Sequence, residues 1–182
     1  VLSMLLAFFA VTFGVNATIE VAKPAGQFMP DELTISGTIS DSAFEGFRKG
    51  LAGRLILSGT NTYRGTTVIN EGVILMKNSL ALGSPAGLTT VIAGATLELA
   101  EIPIGGNETV PLIVSEPLQL SGNGLGDNGA LLNVVGSNTW QGSISLTTSS
   151  RVGVDREFDT LGITGLISGA GKGLTKVGLG EL

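Results

Sequence analysis

Two short stretches, SGTNTYRG at residues 58–65 and GSNTWQG at 136–142, limit the folds open to this chain more than anything else in it. They set Asn61-Thr62-Tyr63-Arg64-Gly65 against Asn138-Thr139-Trp140-Gln141-Gly142, an interval of 77 residues (138 − 61 = 77). The chain has one tyrosine and one tryptophan, and both fall in the same slot. Flanked by the turn formers Ser, Gly, Asn and Thr, that slot reads as a repeated corner of a repeating architecture.

Between such corners the chain is a series of short alternating runs. LTISG sets Leu33 and Ile35 on one face, RLILSG does so with Leu55 and Leu57, and ATLEL directs Ala95, Leu97 and Leu99 inward with Thr96 and Glu98 outward. SISLT buries Ile144 and Leu146 by the same rule. Each is the period-2 signal of a half-buried strand, and no window of helical length holds a 3.6-residue period. The fold class is all-β. Single glycines within SGT, EGV and AGA separate the strands, which suits bends in a continuous coil better than hairpin reversals. The expected form is a parallel β-helix, or solenoid, with coils roughly 4.8 Å apart and roughly 20–25 residues per turn. Leu33, Ile35, Leu55, Leu57, Val68, Val73, Leu75, Leu97 and Leu99 are expected to line its interior.

A second internal match aligns ISDSAFEGFRKGLAGRL (39–55) with ISGAGKGLTKVGLGEL (167–182), setting Ile39 with Ile167, Ser40 with Ser168, Gly53 with Gly180 and Leu55 with Leu182. The first copy runs on into LSGTNTYRG, whereas the second reaches Leu182. The chain is therefore expected to be a fragment of a longer solenoid, with residues 18–182 forming one repeat segment truncated inside a repeat.

Residues 1–17, VLSMLLAFFAVTFGVNA, carry no charge. They read either as the apolar core of a signal peptide, with Val15-Asn16-Ala17 as a cleavage site, or as edge strands.

Composition narrows function. Charged residues make up 14% and apolar ones 43%, unlike a disordered chain. The net charge is −5 and the ten Lys and Arg are scattered, so no basic stripe points to nucleic acid. Cysteine and histidine are both absent, which excludes disulfides, thiolate nucleophiles, the usual zinc ligands and histidine triads within this chain. A cysteine-free chain also suits export in an unfolded state. Asp155, Glu157 and Asp159 in DREFD form the densest acidic spot; alternation along a strand would set them on one side, a candidate calcium site. The glycines of SGNGLGDNG (121–129) lack the lysine that a phosphate loop needs. No catalytic residue and no cofactor is expected.

GLTKVGLGEL, LILSGTNTYRGTTVINEGVILM, ALGS and GATLEL together resemble the autotransporter-associated β-strand repeat. Residues 53–82 follow its pattern almost without gaps, 161–182 follow its opening part, and 100–160 depart from it apart from NTWQG. The resemblance covers about half the chain. The motif positions are Gly53, Leu55, Leu57, Ser58, Gly59, Asn61, Thr62, Tyr63, Gly65, Val68 and Gly72, with Asn138, Trp140 and Gly142 in the second copy. The resemblance implies a right-handed parallel β-helix in a secreted or surface-exposed passenger of a bacterial outer-membrane autotransporter. Its translocator barrel would lie outside this chain.

Within that frame, Asn61 is expected either to adopt a left-handed turn or to hydrogen-bond its amide to corner backbone. Tyr63 is expected to cover the corner with its hydroxyl in water, and Gly65 to permit the next bend. Trp140 takes the equivalent corner, and an aromatic platform for sugars is the functional alternative. Three roles remain: a structural or display segment, an adhesion module for a surface ligand or polysaccharide, and a β-helical polysaccharide lyase or hydrolase. The missing histidine and dispersed carboxylates count against the enzyme.

Overall fold

The structure, a computed structural model, describes residues 11–22, 32–105 and 108–182 and the main chain of 4–6. It is a parallel β-solenoid of about six turns with no α-helix among the described residues. The first face stacks Met4–Leu6, Glu32–Ile35, Arg54–Leu57, Val73–Met76, Thr96–Ala100, Leu131–Val135, the second half of Ile144–Val154, and Leu174–Val177. The second face stacks Ala17–Glu20, Phe47–Gly50, Thr67–Ile69, Thr89–Val91, Leu118–Gly122, the first half of Ile144–Val154, and Ile167–Ser168. A third face holds Val11–Phe13 on Ile39–Asp41, and Ile113–Val114, Ser137–Trp140 and Thr160–Ile163 in order. The 11-residue strand Ile144–Val154 turns the corner between the first two faces without interruption.

Inward side chains form straight columns because parallel register repeats once per coil. One column on the first face runs Leu33, Leu55, Ile74, Leu97, Leu131, Val152; the next runs Ile35, Leu57, Met76, Leu99, Asn133, Val154. On the second face Phe47, Thr67, Thr89, Leu118 and Ile144 align, beside Lys49, Ile69, Val91, Leu120 and Leu146. Leu55, Leu57, Leu97 and Leu99 are fully buried in this core, Ile35 nearly so, and Leu33 packs against it.

Three expected interior residues face outward. Val68 is half-buried between inward Thr67 and Ile69. Val73 and Leu75 lie in two outer columns, beside Arg54 and Ile56 respectively, while Ile74 and Met76 take the core. All four residues of Val73–Met76 are buried, so this strand has no polar face from which its phase can be read. Thr96 and Glu98 do face outward, yet both are buried: Leu125–Asp127, a 3₁₀ turn, closes over Thr96, whose Oγ1 accepts from Leu125 N–H at 2.8 Å.

Coil length matches the expectation where the chain is regular: 22 residues separate Leu33 from Leu55, 19 separate Leu55 from Ile74, and 23 separate Ile74 from Leu97. It stretches to 34 between Leu97 and Leu131, where an antiparallel pair, Ile102–Gly105 with Glu108–Val110, leaves the solenoid. That pair lies in the stretch that departs from the repeat. The second internal match does not superpose. Ile39 lies on the third face against Val11, whereas Ile167 lies on the second against Ile144, so the likeness is of composition and not of register.

Strands Met4–Leu6 and Val11–Phe13 fall in the segment read as leader or edge strands; residues 1–3 and 7–10 of that segment lie outside the described residues. Leu174–Val177 pairs with Ile144–Val154 alone among the described strands, and Leu179 beyond it is 76% exposed. In dilute solutions of the 182-residue chain, amides of 174–182 should exchange faster than those of 144–154, because a terminal coil has one stacking neighbour. Equal protection of the two segments, read by hydrogen exchange, contradicts this.

Candidate functional site

The repeated corner is a buried device for satisfying backbone. Asn61, 2% exposed, accepts the Ile39 N–H at its Oδ1 (2.8 Å) and donates through Nδ2 to the Ala81 carbonyl (2.6 Å). One side chain thus ties three successive coils. Asn138 ties two coils: its Oδ1 accepts from Leu112 N–H of the preceding coil at 2.7 Å, and its Nδ2 donates within its own coil to Val135 O at 3.0 Å and Asn133 Oδ1 at 2.6 Å. Asn61 lies outside any strand and Leu112 just before Ile113–Val114, so these amides supply partners that the ladders do not. Asn61 is not among the residues with positive φ, so hydrogen bonding and not left-handed backbone is its role.

Tyr63 does not keep its hydroxyl wet. The residue is fully buried; its ring packs on Phe13 and Phe47 with centroids 6.0 and 5.7 Å away, and its Oη lies 2.6 Å from Thr67 Oγ1. Trp140 is also fully buried, with Nε1 lacking a partner among the described residues. Neither ring can stack on a sugar. Gly65 and Gly142 serve close approach instead of a bend: neither has positive φ, and a Cβ on either would stand inside 3 Å of backbone in the preceding coil, at Glu45–Gly46 and Ser115–Glu116 respectively. Gly53, Gly59 and Gly72 are likewise pressed against backbone of the coil beneath, Gly72 with φ +71°. Ser58 and Val68 are half-buried and Thr62 is exposed on the outer side of its corner.

Ionisable residues inside the solenoid escaped the sequence reading. Glu116 occupies the column that elsewhere holds Gly65 and Gly142, two residues before an inward position. It is 3% exposed and accepts from Thr89 Oγ1 at 2.7 Å. Burial pushes its pKa up to about 8 against the opposing Thr89 hydrogen bond. Lys49, fully buried, donates to the carbonyls of Gly50 (2.9 Å), Leu51 (2.6 Å) and Glu71 (3.1 Å), which pins a corner where Leu51 has φ +62°. Its pKa falls to about 8 through burial, opposed by Glu71. On the outer face Arg54 bridges Glu32 at 3.3 Å and buried Glu98 at 3.0 Å. All these groups are spent on structure.

Asp155, Glu157 and Asp159 do not lie along a strand. They follow Ile144–Val154 in a turn closed by Asp159 N–H donating to Arg156 O at 3.1 Å, with Asp155 and Glu157 exposed and Phe158 89% exposed. A turn has no alternation to align three carboxylates. No group of three metal-ligating side chains forms among the described residues.

A different place has the shape of a site. A groove of about 640 Å³ crosses the second face and its corner at Asn16, Thr18, Phe44, Arg48, Arg64 and Thr66. Ladder pairing brings Thr18, Arg48 and Val68 side by side on the outer surface. Arg64 stacks over the Phe44 ring at 4.1 Å and directs Nε to both Asp41 carboxylate oxygens at 3.2 and 3.3 Å. Residues from three successive coils build it, which is why no linear motif marked it.

Residues 52–76 match the family model of the passenger-associated-transport-repeat. This stretch spans Arg54–Leu57, the Asn61–Tyr63–Gly65 corner, Thr67–Ile69 and Val73–Met76, one regular coil of the solenoid. The autotransporter passenger repeat that the sequence resembles is therefore present over these residues. No curated protein and no solved structure matches the chain.

Proposed function

We propose that the chain is a structural and display segment of a bacterial autotransporter passenger, working at the cell surface or beyond it without catalytic turnover. The observation that carries this reading is the match of residues 52–76 to a passenger repeat that here forms a coil of a parallel solenoid. The physics supports it. Each coil templates the next through main-chain ladders and asparagine ties, so the rod can grow from whatever part has emerged, at roughly 4.8 Å per coil. The absence of cysteine leaves nothing to lock the chain before it has crossed a membrane. The interior carries the stacked, mostly apolar columns of a scaffold, and its buried Glu116 and Lys49 face no solvent and so no substrate. A translocator outside this chain and neighbouring coils of the same solenoid are the partners proposed, and nucleic acid is not.

The test places an epitope in the exposed turn at Glu157–Phe158 of the full-length gene product and labels intact cells. Surface labelling that external protease removes is the expected result. An epitope reached only after lysis, with the protein folded, overturns the reading. Purified chain incubated with acidic polysaccharides should release no products; turnover lost on D155N/E157Q/D159N would establish an enzyme instead.

A further inference from the structure

We propose that the groove beside Phe44 is a binding site for an anionic saccharide, carboxylated or sulfated, with Phe44 as the stacking surface and Arg48 and Arg64 as the charge partners. This deepens the display reading by giving the rod a ligand, and it is tested on purified protein, independently of export.

Four observations converge. Phe44 is 65% exposed, on a backbone with φ +63°, a conformation that non-glycine residues avoid. This apolar ring, held out in strained backbone, is covered by Arg64 on one face while most of it stays exposed, and such strain concentrates at ligand clamps. The strain is actively held: Glu45 accepts the Ser42 N–H at 3.1 Å and the Ala43 N–H at 2.5 Å, closing the turn that presents the ring.

The ring is also oriented. Arg64 lies on one face at 4.1 Å, and Arg64 is itself fixed by Asp41, so ring and guanidinium move as one body. Beside them the floor is polar. Arg48 is exposed with one long hydrogen bond, 3.4 Å to Asn70 Oδ1, and Thr18, Thr66 and Asn16 offer hydroxyl and amide groups. Asn16 is positioned by accepting the Gly46 N–H at 2.9 Å.

Aromatic face, guanidinium and hydroxyl partners within about 640 Å³ match a pyranose ring bearing an anion. No Asp or Glu among the described residues lines the groove, although the chain carries a net charge of −5; Asp41 and Glu45 beside it are engaged with Arg64 and with the turn. Arg48, which forms no ion pair among the described residues, is the cation that this lining leaves open to an anionic group, with Arg64 beside it held by Asp41.

The experiment titrates the chain with a uronic-acid oligosaccharide, a sulfated oligosaccharide and a neutral one of equal length, by calorimetry at low and moderate salt. Saturable binding of at least one anionic oligosaccharide, weakened by salt and absent for the neutral one, is expected. Phe44→Gly should weaken it at least about tenfold while leaving the melting temperature unchanged or raised, since glycine accepts the left-handed conformation. Arg48→Gln should weaken it by a similar factor with no loss of fold, because its one hydrogen bond among the described residues is long and exposed. The proposal is overturned if no anionic oligosaccharide binds, if the neutral one binds as well, or if F44G and R48Q bind like the parent.

Discussion

Gly142→Ala is expected to be among the most damaging single changes this chain can suffer, costing about 4 kcal/mol or more, or abolishing the fold. The added methyl would lie well inside 3 Å of the Glu116 carbonyl and 3.0 Å from the Ser115 carbonyl carbon, both backbone of the coil below. Backbone in a solenoid cannot yield locally, because any shift propagates along the parallel ladders on both sides. Gly65→Ala should behave alike, against Glu45 and Gly46. Two controls separate this cause from glycine's conformational freedom. Gly94 has φ +90° with open space around its absent Cβ, so Gly94→Ala should cost only the left-handed strain, about 1–2 kcal/mol. Gly14 has neither positive φ nor a neighbour within 4 Å among the described residues, so Gly14→Ala should stay within about 0.5 kcal/mol. Urea midpoints rank the four. If G142A matches G94A, the coils are looser than their spacing implies and the steric account fails.

The same contrast separates what local sequence discloses from what only stacking decides. Alternation gave correct phase to Leu55, Leu57, Leu97 and Leu99, because polar or charged neighbours mark the other side of those strands. It failed at Val73–Met76, where both sides are apolar, and at Val68, where a threonine holds the inward place. Thr67 is inward because the Tyr63 hydroxyl needs a buried partner, a tertiary demand that no local pattern displays. The Asn61 and Asn138 slots are legible as a repeat, but the bonds they make across coils, three coils for Asn61 and two for Asn138, depend on which coil lies above and below. Glu116, Lys49 and Asn133 sit at interior positions where a polar residue reads as an outward one. The groove was hidden for a related reason: Thr18, Arg48 and Arg64 meet only through the stacking of successive coils.

Those interior charges lead to the second large effect: stability should pass through a minimum near pH 8. Glu116 has a folded pKa raised from 4.5 to about 8. Between those values the folded chain holds a proton that the unfolded chain has released, so stability falls as pH rises through that window. At about 1.4 kcal/mol per pKa unit, the loss is bounded near 5 kcal/mol. Glu98, whose pKa burial also raises against the opposing Arg54 charge, acts in the same direction. Lys49 works the opposite way. Its folded pKa is lowered from 10.5 to about 8, so between those values the unfolded chain binds the extra proton and stability rises with pH. Tyr63 limits that recovery, because burial raises its pKa above 10.0 and stability declines again once the unfolded phenol ionises. Glu116→Gln keeps an acceptor for Thr89 and cannot ionise, so it should flatten most of the fall between pH 5 and 8 while leaving the alkaline rise in place. Chemical denaturation at intervals from pH 5 to 10 reads both limbs. A parent curve that is flat from pH 5 to 8, or an E116Q curve that falls as steeply as the parent, would mean that Glu116 reaches water and that the corner it occupies is open.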